Sequence, residues 1–145
     1  MTILNRQAGF NYHLLETFEA GLVLTGSEVK SIRAGQANLA DSYVKIVDGE
    51  AWLHKLHIAP YSQGAQDSYE PTRPRKLLLH KKELVQLTSK LQEQGLSVIP
   101  TKIYSTHNHI KVELALAKGK KKFDKRESIK QREVDRETRR KLGNR

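Results

Sequence analysis

The last 28 residues set the strongest limit on the fold, because they hold most of the charge imbalance and little apolar surface. Residues 118–145, here called the basic tail, contain 13 Lys and Arg against 5 Asp and Glu, a net charge of +8; residues 1–117 have a net charge of +2. The large apolar residues of the tail do not form a continuous helical stripe; they are Phe123, Ile129, Val134 and Leu142. The tail alone therefore cannot bury enough surface to offset its ordering entropy. We expect a folded domain over 1–117 and a tail over 118–145 that is disordered when free and helical when bound to a polyanion.

Composition narrows the class of protein further. The chain has no cysteine, which excludes a disulfide scaffold, a thiolate metal site and a cysteine nucleophile. It has no apolar run near the roughly 18 residues of a membrane span, and its first residues lack a signal pattern. We therefore expect a soluble cytoplasmic protein without a membrane partner. Its overall net charge of +10 indicates a polyanionic partner.

Hydrophobic patterning in residues 1–117 predicts a mainly β domain. The clearest local signal is Asp48-Gly49 between two β-rich runs, which is typical of a hairpin turn. The predicted strands cover 12–19, 22–24 after a break at Ala20-Gly21, 43–47, 51–58, 96–104 and 110–117. The patterning also predicts a short helix over 28–34, a long helix over 81–94 and a surface loop over 61–74. Five or six antiparallel strands with one packing helix favour a small barrel of the oligonucleotide-binding (OB) type, and a two-layer α+β sandwich is the alternative.

The sequence offers no convincing catalytic or metal site. His54 and His57 are three apart in a predicted strand and would face opposite sides, while His107 and His109 lie near a hairpin tip without a third ligand. Gly119-Lys120 lacks the upstream glycine of a phosphate loop, because position 114 is Leu. We therefore predict a protein without enzymatic activity, metal or cofactor.

Basic clusters support nucleic-acid binding instead. Arg75 and Lys76 lie at the exit of the predicted loop, and Lys30 and Arg33 are neighbours on the short helix. Lysine and arginine bind phosphates, and arginine and aromatic side chains stack on bases. These four residues are therefore candidate RNA contacts, although charge alone does not distinguish RNA from DNA.

Four segments of the chain carry a resemblance to a known protein family. Asn5-Arg6-Gln7-Ala8 is followed by FEAGLVLTGSEVKSIRAGQANLADSYV at 18–44, RPRKLLLHKKEL at 73–84 and LALAKGKKKFDKRE at 114–127. In these segments the chain resembles the small protein B family, the SsrA-binding proteins of bacteria that partner transfer-messenger RNA (tmRNA), and the resemblance covers essentially the whole sequence. Ser27 stands where the family often has Thr, and Gln36 stands where it often has Lys; the lysine missing at position 36 implies one phosphate contact fewer.

The resemblance implies an OB-type barrel that binds the tRNA-like domain of tmRNA. It also implies alanine charging of that RNA and its delivery to stalled ribosomes by elongation factor Tu. Matched by motif, the candidate RNA contacts are Asn5, Arg6, Glu19, Leu78, Lys111, Lys118, Lys120 and Lys121. We also expect the free protein to be a monomer. A general RNA chaperone or a structural protein of the ribosome is the alternative function.

For the basic tail, the resemblance implies helix formation in the empty messenger channel of the ribosome. There the tail would replace the missing pairing of codon and anticodon. The candidate contacts with the decoding site and the channel are Phe123, Asp124, Lys125, Arg126, Ile129, Lys130, Arg132 and Arg136. Phe123 is expected to stack near the decoding bases, with the next three residues anchoring it.

Overall fold

A long antiparallel hairpin forms the centre of the computed structural model. The structure describes residues 1–61, 68–93, 95–120, 126 and 129–136. The strands of this part of the chain are β1 (Thr2–Leu4), β2 (Tyr12–Leu22), β3 (Ala37–Asn38), β4 (Tyr43–Val47), β5 (Glu50–His54), β6 (His57–Ile58), β7 (Arg75–Leu78), β8 (Leu96–Thr106) and β9 (His109–Gly119). The helices are α1 (Ala8–Asn11), α2 (Gly26–Arg33) and α3 (Lys81–Leu91). Residues 129–136 are also helical and are here called the tail helix.

Seven of these strands form one antiparallel sheet in the order β1-β8-β9-β2-β7-β5-β4. The sheet curls so that β4, at one edge, contacts β8 near the other, which makes a barrel. A cavity of about 520 Å³ marks this seam, between Tyr43 and Val44 of β4 and Val98 and Ile99 of β8. The architecture is therefore the mainly β, OB-like barrel that the sequence favours, rather than an open two-layer sandwich.

The barrel interior is filled by apolar side chains that alternate along the strands. On β9, Val112 and Leu114 are fully buried, whereas Lys111 and Glu113, which alternate with them, are partly exposed. This period of two is expected for a strand with one face on a core. Leu87 of α3 is fully buried against the same cluster, so the helix packs on the barrel through one apolar face.

Helix α2 begins with a capping box. The Thr25 hydroxyl accepts from the Glu28 backbone N–H at 3.3 Å, and the Glu28 carboxylate accepts from the Thr25 N–H at 3.0 Å. This arrangement satisfies two backbone donors that a helix start leaves free. The predicted helix over 28–34 therefore begins two residues earlier, at Gly26, and ends at Arg33.

Three strand boundaries differ from the predicted ones, because pairing with distant strands overrides the local sequence signals. The predicted break at Ala20-Gly21 is wrong, since β2 continues to Leu22 with these two residues paired to Val112 and Lys111. The predicted strand over 51–58 is divided at Lys55, which has a φ of 65°. The connection between the strands predicted over 96–104 and 110–117 is reduced to His107-Asn108, and both residues have positive φ.

Several short elements were not predicted at all, namely β1, α1, β3 and β7. Helix α3 ends at Leu91 rather than at 94, a position outside the described residues, and β9 continues two residues past the predicted domain limit at 117. Of the predicted loop over 61–74, the described residues contain no helix or strand. None of the helices in the described part of the chain is long and apolar enough to cross a lipid bilayer.

Candidate nucleic-acid interface

One row of residues crosses four strands on the outside of the barrel. Leu78 of β7 pairs with Gly21 of β2, Gly21 pairs with Lys111 of β9, and Lys111 pairs with Tyr104 of β8. Paired residues of neighbouring strands lie on the same face of a sheet. Since strands are about 4.8 Å apart, this row spans roughly 14 Å. Together with Glu19, Lys102 and Glu113, it is here called the outer face.

Leu78 is the apolar part of the outer face. Its side chain is 56% exposed, although it belongs to a run of three leucines. The Leu78 side chain lies directly beside Gly21, where an added Cβ would be 3.4 Å from the Leu78 Cβ, a close van der Waals contact. The leucine borders a groove of about 260 Å³ that is lined by Gly21, Leu22, Leu24, Val29, Leu78, Asn108, His109, Ile110 and Lys111. An exposed leucine beside a lysine offers both an apolar surface and a cation to a ligand.

Two carboxylates and two lysines surround Tyr104. Its hydroxyl donates to Glu19, and burial together with this bond and the negative charges of Glu19 and Glu113 raises the pKa of Tyr104 to about 12. The Lys102 ammonium lies 5.5 Å from the centre of the Tyr104 ring, within cation–π range. The phenol is therefore neutral at physiological pH and fixes the Glu19 carboxylate as an acceptor on the sheet surface.

Helix α2 places two predicted cations beside the outer face. The Arg33 guanidinium donates to the Asn108 carbonyl at 3.2 Å, which ties the end of the helix to the β8–β9 turn. Lys30, one turn earlier, is exposed and lies 5.5 Å from the Tyr61 ring. On β7, Lys76 lies two residues before Leu78 on the same face and makes a 3.4 Å ion pair with Glu50. These three side chains remain accessible to a phosphate.

Arg75 does not face solvent, so its prediction as an RNA contact is wrong. Its side chain is 0% exposed and forms a 2.6 Å ion pair with Glu28, whose side chain is equally buried. The Arg75 guanidinium also donates to the carbonyls of Leu56 and Pro71. The guanidinium is therefore fully engaged in holding β7 against α2.

Glu28 is the centre of this buried network. Besides Arg75, it accepts from the Arg73 guanidinium and, at 3.4 Å, from the Tyr69 hydroxyl. Burial by itself raises the pKa of the Glu28 carboxyl, but the hydrogen bonds from Thr25, Arg73 and Arg75 and the charge of Arg75 outweigh it, so the pKa is lowered. The network thus contains an ionised carboxylate that joins α2, the segment at 69–73 and β7.

The N-terminal candidates differ from each other in exposure. The Asn5 side-chain amide donates to the Pro100 carbonyl at 2.8 Å, and the Asn5 backbone N–H donates to Thr101 at 2.8 Å. These bonds lie at the bulge of β8 between Pro100 and Lys102. Asn5 therefore supports the sheet beneath the outer face, whereas Arg6 is exposed.

The root of the basic tail continues directly from β9. Lys118 is exposed and pairs with His13, while the Lys120 backbone N–H donates to Asn11 and its ammonium donates to the Gly9 carbonyl, at 2.9 and 2.8 Å. Lys118 therefore presents its charge to solvent, and Lys120 holds the root against α1. Lys121 lies outside the described residues.

The rest of the tail is described only in part. Arg126 and the tail helix are exposed, including the candidates Ile129, Lys130, Arg132 and Arg136. Phe123, Asp124 and Lys125 lie outside the described residues. Residues 129–136 are helical in the unbound chain, whereas the prediction gave this conformation to the bound tail; the predicted disorder of the free tail stays a prediction.

Metal-ligating groups do not assemble in the described residues, where no three His, Cys, Asp or Glu side chains are placed to hold an ion. His54 and His57 lie on separate strands, either side of Lys55.

Sequence reasoning missed Tyr104 and Gly21, which complete the outer face. Alternation along β8 and β9 gives a partial signal for Tyr104, but only the register shows that it neighbours Lys111.

The fold and this surface define a small OB-type barrel with a polar, partly basic sheet face and a basic C-terminal extension. The chain belongs to the SmpB protein family, which it matches over residues 2–144. This confirms the resemblance drawn from the sequence motifs.

Individual relatives agree with this assignment. The chain is 56% identical over 133 residues to the SsrA-binding protein of Desulforudis audaxviator (strain MP104C), covering 92% of this chain and 87% of that protein. It is 53% identical to the SsrA-binding protein of Persephonella marina (strain DSM 14350 / EX-H1), covering 92% and 88%. A solved chain described as "tmRNA-SmpB: a journey to the center of the bacterial ribosome" superposes with a TM-score of 0.71 at 44% identity, covering 88% of this chain and 94% of that one.

Proposed function

We propose that this protein is a non-catalytic RNA-binding adaptor of trans-translation, which binds tmRNA and acts with it on stalled ribosomes in the cytoplasm. Family membership supports this role, since the relatives are SsrA-binding proteins and the similar solved chain comes from work on tmRNA in the ribosome. The single structural observation that supports it best is the outer face, where Leu78, Lys111 and Glu19 lie on adjacent strands. The ligand of this face is the tRNA-like domain of tmRNA.

The chemistry of the outer face fits a folded RNA. Lys111 neutralises a phosphate, while the exposed Leu78 packs on a base or a sugar. The Glu19 carboxylate repels phosphate, so it accepts from a base amino group or a ribose hydroxyl instead. Arg33, Lys30 and Lys76 extend the positive charge beyond the row, and Arg6 and Lys118 add exposed cations elsewhere on the barrel.

A general RNA chaperone is the competing function, and selectivity separates the two. An adaptor prefers a tRNA-like fold over unstructured RNA of equal length, whereas a chaperone binds both alike. The combination of an acid, an apolar side chain and a lysine at fixed register favours the adaptor, because a chaperone needs only charge and stacking surfaces.

The outer face is tested by three substitutions, Glu19→Ala, Leu78→Asp and Lys111→Ala. Each removes one contact worth about 1–3 kcal/mol, so the affinity for the tRNA-like domain falls about 5- to 150-fold. Lys111→Ala also lowers the slope of log affinity against log salt by about one. Lys45→Ala is the matched control, since Lys45 is an exposed lysine on the outside of β4, away from the row. Unchanged affinity in all three variants with a normal circular dichroism spectrum contradicts the assignment.

The proposed role of the tail is to form a helix in the decoding site and the empty messenger channel after delivery by elongation factor Tu. A chain ending after Lys122 keeps the barrel and is expected to bind tmRNA nearly as well as the full chain, yet to fail in peptide tagging. Phe123→Ala tests the proposed stack, worth about 1–3 kcal/mol, without a charge change. Val134→Pro tests the tail helix, because Val134 lies inside it, where proline costs ~3 kcal/mol; Ile129 is the first described residue of the helix, a position that tolerates proline. If the truncated chain tags stalled peptides as well as the full chain, the proposed role is wrong and the tail serves only as a solubilising extension.

A further inference from the structure

Helix α1 contacts the basic tail at two places. At the root, Lys120 donates from its backbone to Asn11 and from its side chain to Gly9. Further along, the Arg132 guanidinium of the tail helix lies 5.2 Å from the centre of the Phe10 ring. This distance is within the range of a cation–π interaction, for which arginine over an aromatic face is the commonest arrangement. Four residues near the N-terminus therefore hold both the start and the helix of the C-terminal tail.

Helix α1 is itself fixed to the barrel. Ala8 is buried in a small apolar cluster with Ile99 of β8 and Ala117 of β9, and Tyr12 packs against the same cluster. The Phe10 side chain is half-buried, and the Arg132 guanidinium lies over its ring. A tail helix docked on Phe10 is consequently held at a defined place on the barrel.

The docked face of the tail helix is also a face proposed to contact the ribosome. Ile129, Arg132 and Arg136 are separated by three and four residues and lie on one side of the helix. These three residues are among the proposed contacts with the messenger channel. While the tail helix lies on α1, the side that carries Arg132 faces the barrel and is not presented to the messenger channel, so the two positions of the helix exclude each other.

We propose that α1 is an intramolecular docking site for the tail helix, which holds the Arg132 face on Phe10 in the ribosome-free protein and releases it when ribosomal RNA competes. The competition rests on the proposed function of the tail, whereas the docking does not. An exposed cation–π contact changes an equilibrium about two- to fivefold. Such a contact restrains the helix in the free protein but is weak enough to be replaced by binding to ribosomal RNA, which offers many phosphates.

The docking is tested on the free protein by paramagnetic relaxation. The chain contains no cysteine, so Gln131→Cys provides a single attachment point for a nitroxide on the tail helix. We expect the label to broaden the amide signals of Gly9 and Asn11 more strongly in the unaltered protein than in Phe10→Leu, in which the root contacts of Lys120 remain, and to leave Gly49 in the β4–β5 turn unaffected. Phe10→Leu, which keeps an apolar side chain, is expected to lower the ratio of docked to free tail about two- to fivefold. Arg132→Gln has the same effect, and Arg126→Gln, an equal charge change, has none. Equal broadening at Gly9 and Gly49, or no response to Phe10→Leu, overturns the proposal.

The competition is tested by tmRNA-dependent tagging at limiting ribosome concentration. Phe10→Leu leaves the barrel face intact, and we expect it to increase the apparent affinity of the tail for stalled ribosomes by up to about fivefold, the full factor being reached when most of the free protein is docked. Docking without any change in tagging by Phe10→Leu overturns the competition. If the unaltered protein gives no tagging at all, the proposed function of the tail fails, and with it the competition, while the relaxation result for docking still stands.

Discussion

Substitution of Glu28 by Gln is the most informative perturbation of the fold. The change keeps the shape of the side chain but removes the charge that compensates Arg75. Because both side chains are 0% exposed, the Arg75 guanidinium is left in the interior without its counter-ion. Breaking a buried ion pair by removing one partner costs about 3–5 kcal/mol. A domain of this size is stable by only about 5–15 kcal/mol, so the variant loses a large part of its stability.

Urea unfolding followed by circular dichroism measures this loss, with Glu50→Gln as the control. Glu50 also pairs with a cation, but the Lys76 and Glu50 side chains are 40% and 49% exposed. An exposed pair contributes about 0–1 kcal/mol, so the control stays close to the unaltered protein. Adding Arg75→Met to Glu28→Gln removes the uncompensated charge, and the double variant recovers part of the loss. A loss below 1 kcal/mol in Glu28→Gln, similar to the control, would refute the reasoning.

Three further predictions concern pH and domain organisation. Since the pKa of Glu28 is lowered in the folded state, its contribution to stability is full above about pH 4.5 and is lost as the pH falls through the folded value; acid unfolding curves of Glu28→Gln lack this component. Since the pKa of Tyr104 is raised to about 12, its contribution is present below about pH 10 and is lost as the pH rises toward 12; stability measured between these values falls less steeply in Tyr104→Phe. Limited trypsin digestion of the RNA-free protein removes the basic tail before it cuts the barrel, and equal cleavage rates would contradict the division into two parts.

The sequence predicts those elements whose signals are local. Asp48 and Gly49 have φ values of 52° and 76°, as the turn between β4 and β5 requires, and their residue types alone indicate it. Strand β7 has four residues that follow a proline-containing loop, and its conformation depends on pairing with β2 and β5. No local pattern reveals such a strand.

The candidate site shows the same limit. Arg75 and Lys76 are adjacent cations, and composition cannot tell that one is buried and the other exposed. The difference arises from Glu28, which lies 47 residues earlier and meets Arg75 only in the folded barrel. Conversely, the proximity of Leu78 to Lys111 follows from the register of three strands, which the motifs of the family imply only indirectly.

Strand β9 has a mechanical consequence for the whole molecule. It runs without interruption from the outer face at Lys111 to the root of the tail at Gly119, and it is paired on both sides, by β2 and β8. At about 3.3 Å per residue, these eight steps fix a separation of roughly 26 Å. The strand therefore fixes the distance between the surface proposed to bind tmRNA and the point where the tail leaves the barrel. Lengthening β9 by two residues would preserve which side chains face outward but would move the tail root by about 7 Å. Such a variant is expected to bind tmRNA normally and to place its tail at the wrong distance from the bound RNA.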